Sequence, residues 1–253
     1  ATPLVIQRPI GAESDFEGVI DLVSMEQIVW EEESLGAKFE RGPIRSDLVE
    51  EAEAHHEQLL EQLSNFDDTL LELVLEGEPV SVEMVRSVLR KATLAGEGVP
   101  VLCGSAFKNK GVQPLLDAVT QYLPSPVDVP PVEGVAVDNK TITDRLATRE
   151  ASDEAPFAAL AFKIQSDKFV DQLTYFRVYS GTLQKGKTVY NPGKGKRERV
   201  GRLLRMHANQ QEEVEICHAG DIVAGVGLRQ VTTGDTLCGE KDRILLEKIE
   251  FPE

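Results

Sequence analysis

Gly181-Thr182-Leu183-Gln184-Lys185-Gly186-Lys187-Thr188 satisfies G-x-x-x-x-G-K-[ST], the pattern of a phosphate-binding loop. The chemistry behind the pattern needs a strand before it and a helix after it. Amides at the helix start then cradle phosphate, and the hydroxyl holds Mg²⁺. Here Val189-Tyr190-Asn191-Pro192-Gly193 follows. Two β-favouring residues and a proline turn cannot open a helix. The segment therefore reads as a hairpin loop between strands, and this half of the chain as all-β.

The surroundings point the same way. From Pro156 the hydrophobic period is two: Leu160–Ile164, Leu173–Tyr179 and Lys187–Tyr190 are short strands. Gly181, Gly186, Pro192-Gly193, Gly220 and Thr233-Gly234-Asp235 punctuate them. About seven strands at this turn density predict a small β-barrel over residues 155–240. Phe162, Phe169, Tyr175, Phe176 and Tyr179, with Trp30 upstream, read as core aromatics.

The first half is mixed. Leu4–Ile10 reads as one strand and Gly18–Val23 as another, with a solvated loop at Glu31–Gly36. Ser46 then caps a helix, with Asp47 in its first turn. Leu48, Ala52, Leu59, Leu60 and Leu63 give this helix an apolar face, and Glu50, Glu51, Glu53, Glu57 and Glu61 crowd the other. A short helix fits Thr69–Leu75, ending near Gly77. A third starts after Ser81, carries Val85, Val88, Leu89 and Ala92 on one stripe, and stops at Gly96. Gly98–Cys103 reads as a buried strand and Gly104-Ser105-Ala106 as a tight turn. A helix follows, striped by Val112, Leu115, Leu116, Val119 and Leu123 and ended by Pro124. Pro124–Pro131 is a stiff, proline-rich connector, and a weakly apolar stretch runs on to Glu154. The fold class is α+β followed by all-β.

Charge divides the chain in the same way. Residues 1–150 hold 12 Lys+Arg against 28 Asp+Glu, whereas residues 151–253 hold 15 against 15. An acidic surface repels nucleic acid and favours basic protein partners, so the two parts face different things. No apolar run approaches the roughly 18 residues of a membrane helix. Cys103, Cys217 and Cys238 are odd in number and far apart, which argues against a disulfide framework and a zinc site and fits a reducing compartment. His55, His56, His207 and His218 have no Cys or His partner at metal spacing. Two short matches fail: Asn109-Lys110 opens N-K-x-D but Val112 stands where Asp is needed, and Asp15-Phe16-Glu17-Gly18 is a four-letter D-x-x-G. The opening Ala1-Thr2-Pro3-Leu4, with neither Met nor signal peptide, reads as a cut from something longer.

Two stretches are specific. One runs from Val99 through Gly104-Ser105-Ala106-Phe107-Lys108-Asn109-Lys110-Gly111 to Val119 and closes on Tyr122–Pro126. The other runs from Phe176 to Leu183, then Lys194–Ala208, Ala219–Val223 and Thr233–Cys238. With Pro9–Glu13 and Phe16–Leu22, they resemble the elongation factor G family of translational GTPases in order and spacing. The resemblance implies an inserted G-domain subdomain at 1–97 and the last strand and helix of a P-loop GTPase domain at 98–126. A linker at 127–154, a translation-factor β-barrel at 155–240 and a lead-in to a third domain at 241–253 would follow.

The resemblance also implies roles. The family promotes GTP-dependent translocation of tRNA and mRNA on the ribosome, in the cytoplasm. Its phosphate loop, switch regions and N-K-x-D motif would precede residue 1, so this stretch would hold no catalytic residue, no metal and no cofactor. GTP and Mg²⁺ would belong to the full-length parent. Gly104, Ser105 and Ala106 match the family's fifth nucleotide motif, whose amides meet the guanine carbonyl, and Lys108 would pack nearby. The basic run Lys194, Lys196, Arg197, Arg199, Arg202 and Arg205 would touch small-subunit ribosomal RNA. Strand alternation puts Arg197 and Arg199 on one face, opposite Glu198 and Val200. Glu50, Glu53, Glu57 and Glu61 resemble the face that meets the ribosomal stalk protein. A solvated strand edge and a solubilising helix face are the plainer readings of these two clusters. Neither DNA nor membrane is implied as a partner. A stand-alone RNA- and protein-binding module, and a release, recycling or ribosome-protection relative, stay open as alternatives. Val99–Cys103, away from the other strands of such a domain, would keep a free edge able to pair with another copy.

Overall fold

The computed structural model describes residues 1–31, 34–138, 141–167, 171–207 and 210–246. Two compact units divide the chain, Ala1–Pro124 and Ser125–Glu253. The first runs β1 (Thr2–Val5), β2 (Gln7–Ile10), β3 (Gly18–Asp21), β4 (Glu26–Trp30), β5 (Phe39–Pro43), α1 (Val49–Leu63), α2 (Asp68–Glu76), α3 (Val82–Leu94), β6 (Gly98–Val101) and α4 (Val112–Tyr122).

Leu4–Ile10, expected as one strand, is two strands in different sheets. β1 pairs in parallel with β6, while β2 joins the antiparallel order β2-β3-β4-β5. The switch happens at buried Ile6, whose amide donates to Val101 O at 3.0 Å. β4 and β5 were not anticipated. Each mixes apolar positions with charged or turn-forming residues (Glu26, Gln27, Gly42, Pro43), which weakens the period-two signal.

The helices follow local chemistry. Asp67 Oδ1 accepts from the amides of Thr69 (3.1 Å) and Leu70 (3.3 Å), and Gly77 at φ 70° closes α2. Ser81 Oγ accepts from Met84 N at 3.2 Å to start α3, which buries Val85, Val88, Leu89 and Ala92. Ser46 does not cap α1. Leu48 N bonds Arg45 O at 2.9 Å, making a turn through Ser46 and Asp47. The helix begins at Val49, with Leu48 in the cap position and no side-chain cap bond. Ala52, Leu59 and Leu63 enter the core as read, together with Leu4, Ile10, Leu22, Leu70 and Leu89. Trp30 packs in a second cluster with Phe16, Val19 and Ile28.

The end of the first unit differs most from expectation. β6 is a short edge strand rather than a buried one, with Val99 50% exposed. In α4 the buried row is Pro114, Ala118 and Tyr122, spaced i, i+4, i+8. The expected stripe lies one column over and faces outward: Leu115, Leu116, Val119 and Leu123 are exposed. The helix rests on α3, with Ala118 and Tyr122 in the same core as Leu22 and Val23.

In the second unit, residues 127–154 are not a plain linker. They carry β7 (Val132–Asp138) and β8 (Thr141–Arg149), a hairpin whose β7 also pairs with β19 (Ile244–Leu246). β8, TITDRLATR, is mostly exposed and has few large apolar residues, which disguised it. β19 falls inside the expected lead-in at 241–253, of which residues 247–253 lie outside the described residues.

The remaining strands are β9 (Ala158–Asp167), β10 (Asp171–Ser180), β11 (Leu183–Gln184), β12 (Thr188–Asn191), β13 (Lys196–Arg199), β14 (Arg202–His207), β15 (Gln210–Val214), β16 (Ile216–Cys217), β17 (Ile222–Val226) and β18 (Thr236–Cys238). Eight of them form an antiparallel sheet in the order β13-β12-β18-β9-β10-β17-β14-β15. It curls around one apolar interior holding Ala159, Phe176, Val178, Val189, Leu203, Val223 and Leu237. Its end strands β13 and β15 do not pair with each other among the described residues, so strand pairing does not close the expected barrel.

Thr188 opens β12, not a helix, as its sequence demands. Gly181–Gly186 is not a hairpin loop, however. β10 and β12 are not neighbours, and the segment contains β11, which pairs with β16. Gly181 makes the exit from β10: its φ is +69°, and a Cβ there would lie 2.6 Å from Ala155 O. Along β10, Phe176, Val178 and Ser180 point inward while Tyr175 and Tyr179 are half-buried. Tyr175 pairs with Phe162 at 6.4 Å between ring centroids. Phe169 lies outside the described residues.

Candidate functional sites

Gly104-Ser105-Ala106 sits in a loop whose shape is fixed from several directions. Ser105 and Lys110 exchange both backbone bonds, at 2.8 and 3.0 Å. Gly104 lies against that closure: a Cβ there would be 2.8 Å from Lys110 O. The Ser105 amide is thus used inside the loop. Lys108 donates to Ser14 O at 2.8 Å. Lys110 is buried, and its ammonium donates to Phe16 O at 3.0 Å. Asn109 Nδ2 donates to Leu35 O at 3.3 Å, and Gln113 Nε2 to Gly36 O at 2.7 Å. Gln113 Oε1 in turn accepts from Trp30 Nε1 at 3.3 Å. The failed N-K-x-D match at Asn109-Lys110 therefore has a structural use. Its partners lie more than 70 residues away, and no local pattern announces them.

The six basic residues do not form one patch by strand pairing. Lys196, Arg197 and Arg199 are on β13, at one end of the sheet, and Arg202 and Arg205 are on β14, its seventh strand. Arg197 and Arg199 are exposed and Glu198 and Val200 buried, which matches the alternation. The Glu198 carboxylate accepts from the amides of Arg229 (3.2 Å) and Gln230 (3.0 Å). Arg197 pairs with Glu240, Arg199 Nε donates to Gly186 O at 3.1 Å, and Arg205 lies 4.0 Å from Asp221. Lys194 differs from the others. Its Nζ meets Gln230 O, Thr232 Oγ1 and Asp235 Oδ2, each at 2.7 Å. An ammonium has three N–H donors, and all three are used inside the fold. Lys194 is exposed, yet its ammonium is spent on partners within the second unit.

Glu50, Glu53, Glu57 and Glu61 are all exposed on α1. Beside them, α1 and α2 flank a groove of about 820 Å³ whose lining includes Leu60, Leu71, Val74, Leu75 and Val80. Glu57, Glu61 and Glu78 border it. Leu75 is 76% exposed there. This apolar neighbour of the acidic face was missed because the reading of Thr69–Leu75 as a short helix does not say which of its leucines stay exposed. Of the two histidines on α1, His56 Nδ1 bonds Leu22 O at 2.7 Å and His55 lies 3.6 Å from Glu51.

Burial pushes the thiols of Cys103 and Cys238 up and that of Cys217 up to about 11, so all three stay protonated near neutrality. Among the described residues no three His, Cys, Asp or Glu side chains gather as metal ligands, and no helix is long and apolar enough to cross a membrane.

Comparison with known proteins places this geometry. Residues 171–238 match the family of elongation factor Tu domain 2. Over all 253 residues the chain is 52% identical to elongation factor G of Thermotoga maritima, of which it spans 36%. Among solved structures, a protein of Thermus thermophilus shares the fold with a TM-score of 0.74 at 24% identity, over 99% of this chain and 34% of that one. From its first residue to its last, the chain is similar to a 36% section of elongation factor G, and its residues 171–238 match elongation factor Tu domain 2.

Proposed function

We propose that these residues are an internal section of a cytoplasmic translation elongation factor of the G type, and that they supply ribosome contacts and scaffold while GTP and Mg²⁺ are bound, and GTP hydrolysed, by other segments. The observation that carries this is the 52% identity over all 253 residues of the chain. The outward-facing Leu115, Leu116, Val119 and Leu123 support it, because an apolar helix face of this extent suits further layers of a nucleotide-binding domain. The test uses the full-length protein and this chain side by side. The full-length protein is expected to show ribosome-stimulated GTP hydrolysis. This chain alone is expected to bind no GTP at high micromolar concentration, since one base contact of about 1 kcal/mol cannot offset the cost of association. Tight GTP binding by this chain, or a full-length protein inert on ribosomes, refutes the reading.

On this reading β13 and β14 meet the backbone of small-subunit ribosomal RNA. Arg197→Glu with Arg199→Glu in the full-length protein should weaken ribosome binding and flatten its dependence on salt. Removing one phosphate contact lowers the slope of log K against log salt by about one. Lys194→Gln should leave that slope unchanged while lowering stability. Binding at several salt concentrations reads both, and an unaltered slope in the double variant counts against the RNA contact.

The groove between α1 and α2 suits a basic, amphipathic helix of the stalk protein. Glu57→Lys with Glu61→Lys is expected to weaken binding of the isolated stalk C-terminal domain by about tenfold, the effect of roughly 1.4 kcal/mol. Leu75→Ala should weaken it with little change in salt dependence. Equal affinity of all variants in a titration would leave the acidic face as a solubilising surface.

A further inference from the structure

We infer that Lys110, supported by Lys108 and Gln113, is a positioning residue that lets the sheet β2–β5 and the turns around it set the grip of the 104–106 loop on a guanine base. This rests on the reading of the chain as part of a G-type factor.

The argument starts from the buried ammonium. A charged amine taken out of water must keep a hydrogen-bond partner, so the place of Phe16 O dictates the place of Lys110. The backbone of Lys110 then fixes Ser105 through two bonds at 2.8 and 3.0 Å. Movement at Phe16 therefore reaches the base-facing amides through one side chain and one backbone pair. Lys108 repeats the connection to Ser14 O at 2.8 Å. On the other flank, Gly36 abuts the same loop so closely that a Cβ would come within 2.4 Å of Asn109 O. Its carbonyl holds Gln113, which also anchors Trp30. The contacts come from both sides of the loop, and all run to residues 13–36.

The test is nucleotide dissociation from the full-length protein, with three probes. GDP and inosine diphosphate carry the 6-carbonyl that the loop amides would meet, and 2-aminopurine riboside diphosphate lacks it. Lys110→Met keeps the side chain's bulk and removes its donor. It is expected to speed release of GDP and inosine diphosphate at least tenfold and to leave the 2-aminopurine nucleotide nearly unchanged. Lys110→Arg should recover part of the loss. A simple loss of folding would weaken all three probes alike, so equal weakening overturns the inference, as does no change for GDP. If Lys110→Met does not fold, Lys108→Ala and Gly36→Ala carry the same comparison from the two flanks. Failure of the unaltered protein to bind GDP would instead refute the underlying reading of the chain.

Discussion

Asp235→Ala should destabilise the second unit by about 3–5 kcal/mol, because it leaves the buried Asn191 amide and the Thr232 N–H without their acceptor, about 1–3 kcal/mol each, and removes the partner of Lys194. The Asp235 side chain is 10% exposed. Its Oδ2 accepts from Lys194 Nζ at 2.7 Å, Thr232 N at 2.8 Å and Asn191 Nδ2 at 2.9 Å. Without the carboxylate, the Lys194 ammonium keeps two neutral acceptors and loses its counter-charge. The pH dependence has a definite sign. Burial raises the Asp235 pKa, but the bonds from Lys194, Thr232 and Asn191 outweigh it and hold the carboxyl below its ordinary 3.8. A depressed folded-state pKa gives stability that is present above the unfolded value and lost as pH falls through the folded one. Denaturant melts of wild type and Asp235→Asn should therefore differ most near neutrality and converge in strong acid. A gap below about 1 kcal/mol at pH 7 would show the cluster to be no stronger than a surface pair.

Phe176→Ala is the second large effect, again about 3–5 kcal/mol, from lost burial and the cavity left behind. Phe176 is fully buried at the centre of the curled sheet, and a Cβ at Gly225 would already lie 3.0 Å from its ring. The chain has one tryptophan, Trp30, buried in the first unit. Its fluorescence reports that unit, while circular dichroism reports both. The variant is expected to lose sheet signal early with the Trp30 transition unmoved. A coincident shift of both signals would mean that the two units melt together.

These positions show where the sequence speaks and where it is silent. α2 and α3 were readable because the start after Ser81 and the stops Gly77 and Gly96 act within a few residues, whereas the Asp67 cap of α2 came only with the structure. Thr188 was readable as a strand start because Pro192 forbids a helix on local grounds. Ile6 was not: whether a chain changes sheets depends on partners, and the partner of β1 is almost a hundred residues downstream. α4 shows a different limit. Periodicity marks an apolar stripe without saying what covers it, and here the buried column is the row Pro114, Ala118 and Tyr122 beside it. β8 was hidden because a mostly exposed strand carries little alternation. Among site residues, Arg197 and Arg199 followed from strand parity. Lys194 looked the same in sequence and differs only because Gln230, Thr232 and Asp235 come back across the sheet to meet it.

The thin attachment of α4 has a kinetic side. Eleven residues is below the length of about 12–15 at which a helix holds itself in water, and this one is held by three buried residues, Pro114, Ala118 and Tyr122, and by the bonds of Gln113 to Gly36 and Trp30. Opening of α4 therefore costs less than opening of α3, which buries four apolar side chains and carries a side-chain cap. The turn at 104–106 leads directly into that helix. The amides assigned to a purine ring thus lie a few residues before a helix that opens more readily than α3.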